Sequence, residues 1–292
     1  MKIYGVGLVA LILTVAGSMH CCANHIFQTD SVYVPGYVDF ALTLDEFLPK
    51  SMAPACQDLE QGNLKDAEPK FATALKKEPD DPALIIGFLQ AARGHRDALL
   101  NSYVQAERAS HSEGNEFRLA VLAYYMIDER WDKGQPSPAH ALEINNLSKI
   151  TVDNMSAAYR QATSPVVGFF MLNTQGVVHY DVPGDHQSDL ADILRRFAGR
   201  QMYNQYTSAK SHGWRVSTPQ IPQVTHNQLQ TARIVIGYMW AWGKNRSTLY
   251  HEVSGKYVST DTTPKKTTTE KDMYDFLGRW RKVLISALQS RK

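Results

Sequence analysis

His179, Asp181, Asp185 and His186 place two imidazoles and two carboxylates within the eight-residue run His179-Tyr180-Asp181-Val182-Pro183-Gly184-Asp185-His186. Two histidines and a carboxylate around an open position can hold a divalent metal and activate a bound water, which is the chemistry of metal-dependent hydrolysis. The same run contains Pro183-Gly184, the mark of an exposed turn. Asp185 or Ser188 stands where it would cap the helix that follows. A capped surface loop is the first reading of the cluster, and a metal-dependent enzyme centred on it is the alternative.

Other reactive residues lead nowhere specific. His251-Glu252 falls in a stretch that reads as a strand, with no second histidine motif nearby. The chain has no Gly-x-Ser-x-Gly, no phosphate-cradling Gly loop and no His-Glu-x-x-His, so no cofactor is expected. Cys56 could act as a nucleophile, but it falls on an apolar helix where packing explains it. Tyr238, Trp240 and Trp242 alternate within an apolar run, which fits core or domain contact better than stacking on a sugar or base. The triplets Asn146-Leu147-Ser148 and Asn245-Arg246-Ser247 are glycosylation acceptors only in a eukaryotic secretory route.

The elements that would position these groups follow from the rest of the chain. Its 292 residues are 43% hydrophobic and 21% charged, enough apolar material for one large core or two smaller ones. A net charge of +2 gives no general electrostatic case for nucleic acid or an anionic membrane. Basic residues gather late, at Lys265-Lys266, Arg279, Arg281, Lys282, Arg291 and Lys292, and read as a solvated helix face with a charged tail.

The first residues are the exception. After Lys2 comes an apolar run over residues 3–16, short of the roughly twenty needed to span a bilayer but suited to a secretory signal. Ala16-Gly17-Ser18 supplies small residues for cleavage, so residues 1–18 are expected to be a signal peptide and the mature protein to be exported. An uncleaved anchor is the alternative. Cys21 and Cys22 follow, but His20 and Ser18 depart from the lipoprotein pattern, so lipidation at Cys21 is a minority reading. With Cys56 the three cysteines allow one internal disulfide at most, from Cys21 or Cys22 to Cys56.

Residues 19–53 read as an extension with at most one short element, turning at Pro35-Gly36. Helical spacing starts near Pro54, with Leu59, Leu64, Ala67, Phe71, Ala74 and Leu75 at three- and four-residue intervals. Gly62-Asn63 interrupts it and Pro79-Asp80-Asp81-Pro82 ends it, which makes a helical hairpin. An apolar helix over 83–92 follows, then a break at Gly94-His95, then a third helix over 97–109. Gly62, Phe71 and Ala74 recur thirty-two residues on as Gly94, Tyr103 and Ala106.

Ala55, Gly62, Ala67, Phe71, Ala74 and Pro79 in the first unit, and Ile86-Gly87, Gly94, Tyr103 and Ala106 in the second, resemble the tetratricopeptide repeat pattern. Small residues let the paired helices approach, and the aromatic fills the gap toward the next hairpin. The sequence departs from the pattern at Pro54, at Leu99 and His111, and in a period two below the usual length of about thirty-four. A third unit begins over 116–131 and fails at Gly134, Pro136 and Pro138. The resemblance covers residues 54–131.

The remainder reads as a mostly helical region over 132–260, a linker over 261–269 and an amphipathic helix over 270–292. Helices are expected over 139–150, 154–161, 189–202 and 229–242, and a loop over 217–225. The apolar runs 166–172 and 177–182 fit either a buried helix or a β-hairpin. Residues 248–259 fit a hairpin turning at Ser254-Gly255. Met273, Phe276, Leu277, Trp280, Leu284, Ala287 and Leu288 form the stripe of the last helix, which suits covering the end of the fold, or binding a partner or membrane surface.

The expected fold class is therefore mainly α, with tetratricopeptide-like hairpins building an α-solenoid, continued by a less regular helical half with short β-hairpins. The resemblance implies an adaptor or scaffold that recognises a protein or peptide through a concave face. Projected onto this chain, that face comprises Leu59 and Glu60 in the first unit and Leu84, Phe88, Ala91 and Ala92 in the second. Plain core is the competing reading for Leu84 and Phe88. A structural component of the envelope is the further alternative.

Overall fold

The computed structural model describes residues 47–109, 113–130, 138–178, 186–215, 218–253 and 268–291, with some helix ends, 173–178 and 241–253 among them, described by their backbone alone. Residues 1–18, expected to be a signal segment, Cys21, Cys22, and most of residues 19–53 and 261–269 lie outside these residues. Among the described residues there are eleven α-helices and no strand. They are α1 (Ala53–Glu60), α2 (Leu64–Leu75), α3 (Pro82–Ala91), α4 (Arg96–Ala109), α5 (Glu113–Arg130), α6 (Pro138–Gln161), α7 (Pro165–Val178), α8 (His186–Ile193), α9 (Arg200–Ser211), α10 (His226–Val253) and α11 (Thr268–Gln289).

The punctuation residues act through identifiable bonds. After α1, Gly62 takes φ +75°. The Asn63 N–H then donates to the Asp58 carbonyl at 2.8 Å and the Gly62 N–H to the Leu59 carbonyl at 3.1 Å. That is a Schellman ending, which a residue without a Cβ adopts at least cost. Asp81 caps α3, its Oδ1 accepting from the Leu84 N–H at 2.9 Å, with Pro82 in the first turn. At α10, Thr225 and Gln228 form a reciprocal capping box: the Gln228 N–H donates to Thr225 Oγ1 at 3.2 Å and the Thr225 N–H to Gln228 Oε1 at 2.9 Å.

Packing proceeds along the chain. α1 lies on α2, α2 on α3, and α1 and α5 also reach α3. α5 and α6 form the longest antiparallel contact, and α10 and α11 a second. α7 crosses the middle, touching α3, α5, α6 and α8. Its Phe170 sits 5.8 Å from the Phe117 ring, 5.3 Å from Tyr124 and 6.3 Å from Tyr125, all carried by α5. The stripe of α11 is buried as its spacing requires, with Phe276, Leu277, Trp280 and Leu284 in the core.

Several expected boundaries move. Residues 139–150 and 154–161 belong to one helix, α6, because Thr151 turns its hydroxyl back onto the Leu147 carbonyl at 2.9 Å and stays within the helical ladder. The run 166–172 is helical, not a hairpin strand, and continues to Val178. Residues 248–253 are the end of α10, so His251 and Glu252 are helical rather than in a strand. The helix expected over 189–202 divides into α8, a π-turn over Leu194–Ala198 and α9, parted by Gly199 at φ +96°.

Candidate functional site

The six residues projected onto a binding face do not share an open surface. Leu59, Leu84, Ala91 and Ala92 are buried, at 0%, 3%, 3% and 0% exposure. Phe88 is half-buried and packs on the core, and Glu60 is exposed. The cause is enclosure: α3 is contacted by α1, α2, α5 and α7, which leaves little of it to meet a partner. Of the histidine and aspartate cluster, His179, Asp181 and Asp185 lie outside the described residues. His186 opens α8 and is described by its backbone alone. Among the described residues no group of His, Cys, Asp and Glu is arranged to hold a metal.

Two polar nodes that no sequence pattern pointed to tie the helices together. Arg96, at the start of α4, is 6% exposed. Its Nε donates to the Leu89 carbonyl at 3.0 Å, its Nη2 to the Gln90 carbonyl at 2.9 Å and its Nη1 to Glu129 Oε1 at 2.7 Å. The guanidinium lies 4.8 Å from the centre of the Tyr125 ring. It thereby satisfies the last carbonyls of α3, which have no partner within their own helix. Arg93 and Arg130 also approach Glu129, at 3.3 and 3.5 Å. The pairing spans thirty-three residues, so no local periodicity announces it.

The second node joins α6 to α8. The Tyr159 hydroxyl donates to Asp192 Oδ2 at 2.5 Å, and Arg195 Nη2 donates to Asp192 Oδ1 at 2.5 Å. Arg196 reaches the Arg160 and Ala162 carbonyls at 2.8 and 2.9 Å, closing the C-terminus of α6, and lies over the Tyr159 ring. Burial pushes the Tyr159 phenol above its ordinary value, helped by its bond to Asp192. Burial also pulls the Asp192 carboxyl upward, but the bonds from Tyr159 and Arg195 outweigh it and hold the carboxyl below its usual range. Both nodes fasten helix ends.

Openings between the helices offer further candidates. A groove of about 590 Å³ lies between α4, α5 and α6, lined by Val104, Glu107, Arg108, Leu119, Ile150 and Asn154. A smaller cleft of about 180 Å³ lies where α3, α7 and α10 begin, with Phe47, Asp81, Ser164, Asn227 and Thr231 among its walls. Among the described residues no helix is long and apolar enough to cross a membrane. No protein-family model, no curated protein and no solved structure matches the chain.

Proposed function

We propose that the protein is an exported, tetratricopeptide-like binding or scaffold protein that recognises a protein or peptide partner through a helical-repeat surface. The observation that carries this reading is the seating of Phe71 against Gly87. A Cβ at Gly87 would stand 2.3 Å from Phe71 Cε1. Gly87 lies thirty-two residues after Ala55, so the small position of the second unit receives the aromatic of the first. That is the use of small and aromatic positions on which stacked hairpins depend.

The partner surface follows from the next junction. The third unit opens with Leu119-Ala120, thirty-three residues after Ile86-Gly87. Leu119 lines the groove between α4, α5 and α6. The groove's apolar floor and its rim of Glu107, Arg108 and Asn154 suit a segment with an apolar side and polar flanks.

The test uses the intact protein as bait on the envelope or secreted fraction of its source. A stoichiometric partner that is retained by the parent and lost with Val104→Glu or Asn154→Arg, at unchanged helical circular dichroism, supports the proposal. Retention of the same partner by both variants, or of none by the parent, overturns it.

A further inference from the structure

We infer that the cleft at the starts of α3, α7 and α10 binds the positively charged head of an organic cation, a primary ammonium or guanidinium group. The inference does not depend on the scaffold reading. Asp81 supplies the one charged side chain among the cleft's walls. Its Oδ1 is engaged by the Leu84 N–H at 2.9 Å, and Oδ2 remains to accept from a ligand. The other polar walls are rich in acceptors. Thr231, 2% exposed, gives its proton to the Asn227 carbonyl at 2.9 Å, which leaves the lone pairs of its hydroxyl for a donor. The amide side chain of Asn227, exposed at the rim, carries a carbonyl oxygen. Phe47 adds an aromatic wall of the kind that favours a cation.

Three helices begin around this cleft, and helix N-termini ordinarily favour anions. Here one first-turn N–H of each helix is already taken by a side-chain oxygen of the chain itself. The Leu84 N–H goes to Asp81, the Val166 N–H to Ser164 Oγ at 3.3 Å, and the Gln228 N–H to Thr225 Oγ1 at 3.2 Å. An anion entering would meet a carboxylate and find these donors occupied. A cation would meet the carboxylate and the neutral oxygens of Thr231 and Asn227, a set that suits three N–H donors on a compact head. The volume, about 180 Å³, admits such a head with a few methylenes.

The head group can belong to a free small amine or to a lysine or arginine side chain of another protein. The experiment titrates the isotope-labelled intact protein with n-butylammonium chloride and with N-acetyl-lysine methylamide, following the backbone amides of Ala83 and Val166 by NMR. Neutral n-butanol and sodium chloride are the controls. Saturating shifts with both cations and none with the controls are expected, together with at least a tenfold weakening in Asp81→Asn. Asparagine retains the cap of α3, so that variant removes charge without removing the helix start, and Asn227→Ala on the exposed rim is expected to weaken binding independently. Tighter binding of the capped lysine than of butylammonium assigns the site to a protein side chain, and equal or weaker binding assigns it to a free amine. Shifts that do not saturate, that butanol reproduces, or that Asp81→Asn and Asn227→Ala leave unchanged overturn the inference.

Discussion

The ring of Phe71 is pressed against the backbone of Gly87, with Cε1, Cζ and Cδ1 at 2.3, 2.5 and 2.7 Å from where a Cβ would stand. Phe71 is itself fully buried, at 0% exposure, so the ring has nowhere to retreat. Gly87→Ala therefore sets two effects against each other. Helix propensity favours alanine in the interior of α3 by about 1 kcal/mol. Overpacking a rigid aromatic costs about 1–3 kcal/mol, and it acts on both α2 and α3. The net expectation is destabilisation in urea unfolding, with partial recovery in the double variant Gly87→Ala, Phe71→Leu because the two sites share one contact. Gly94→Ala is the control. Nothing lies within 4 Å of its added Cβ, and it should change stability little.

Arg96 makes a sharper demand on chemistry than on charge. Its planar fork serves two carbonyls of the α3 end and the Glu129 carboxylate at once while lying on Tyr125. Lysine keeps the charge but cannot reach all three acceptors from one nitrogen, and it does not stack. Arg96→Lys is expected to cost on the order of 2–3 kcal/mol, since buried carbonyls lose their partner and the side chain is too enclosed for water to replace it. Chemical denaturation compares the variant with the parent. A loss no larger than that of an exposed ion-pair variant, such as Lys70→Ala, contradicts the clamp.

The Tyr159–Asp192 pair predicts a pH dependence with a defined sign. The folded Asp192 carboxyl titrates below its unfolded value. Its contribution is therefore present above the ordinary carboxylate range and is lost as pH falls through the depressed folded value. Tyr159 runs the other way, because its folded value is raised. Its contribution is present below the unfolded phenol value of about 10 and is lost as pH climbs above it. Asp192→Asn should flatten the acid limb of a stability-versus-pH curve, and Tyr159→Phe the alkaline limb, relative to the parent. An acid limb unchanged by Asp192→Asn contradicts the assignment.

What could be read from the sequence was local. Gly62, the Pro79–Pro82 stop and the stripe on α11 act within a few residues through backbone angles, caps and periodicity, and these elements form where the pattern places them. The apolar run 166–172 was undecidable, because α7 is buried on every described face and so shows neither a helical nor a strand period. Leu59, Leu84, Ala91 and Ala92, projected onto a groove from the repeat pattern, are interior for a reason the pattern does not contain. Residue 170 arrives from nearly eighty positions beyond Ala91 to complete the core against Phe117, Tyr124 and Tyr125. The cleft at Asp81 was hidden for the same reason, since its walls come from three helix starts far apart in the chain.

Gly199 shows where a single backbone angle overrides a helical pattern. Leu190, Ile193, Leu194 and Phe197 keep helical spacing up to it, yet the chain widens into a π-turn and stops. At φ +96° and ψ 155°, Gly199 occupies a region open almost only to glycine. The turn puts Arg196 under the end of α6 and lets α9 set off in a new direction. Its position also brings the site of any added Cβ to 3.4 Å from the Gln228 amide nitrogen, on the capping box of α10. Gly199→Ala should therefore cost about 1–3 kcal/mol through the backbone angle alone. The same substitution in a continuous helix would stabilise, by about 0.5–1 kcal/mol. The sign of the change in thermal unfolding decides between a required break and an incidental one: a lowered Tm supports the break, and a raised Tm means that α8 and α9 can run on as the single helix their side-chain spacing describes.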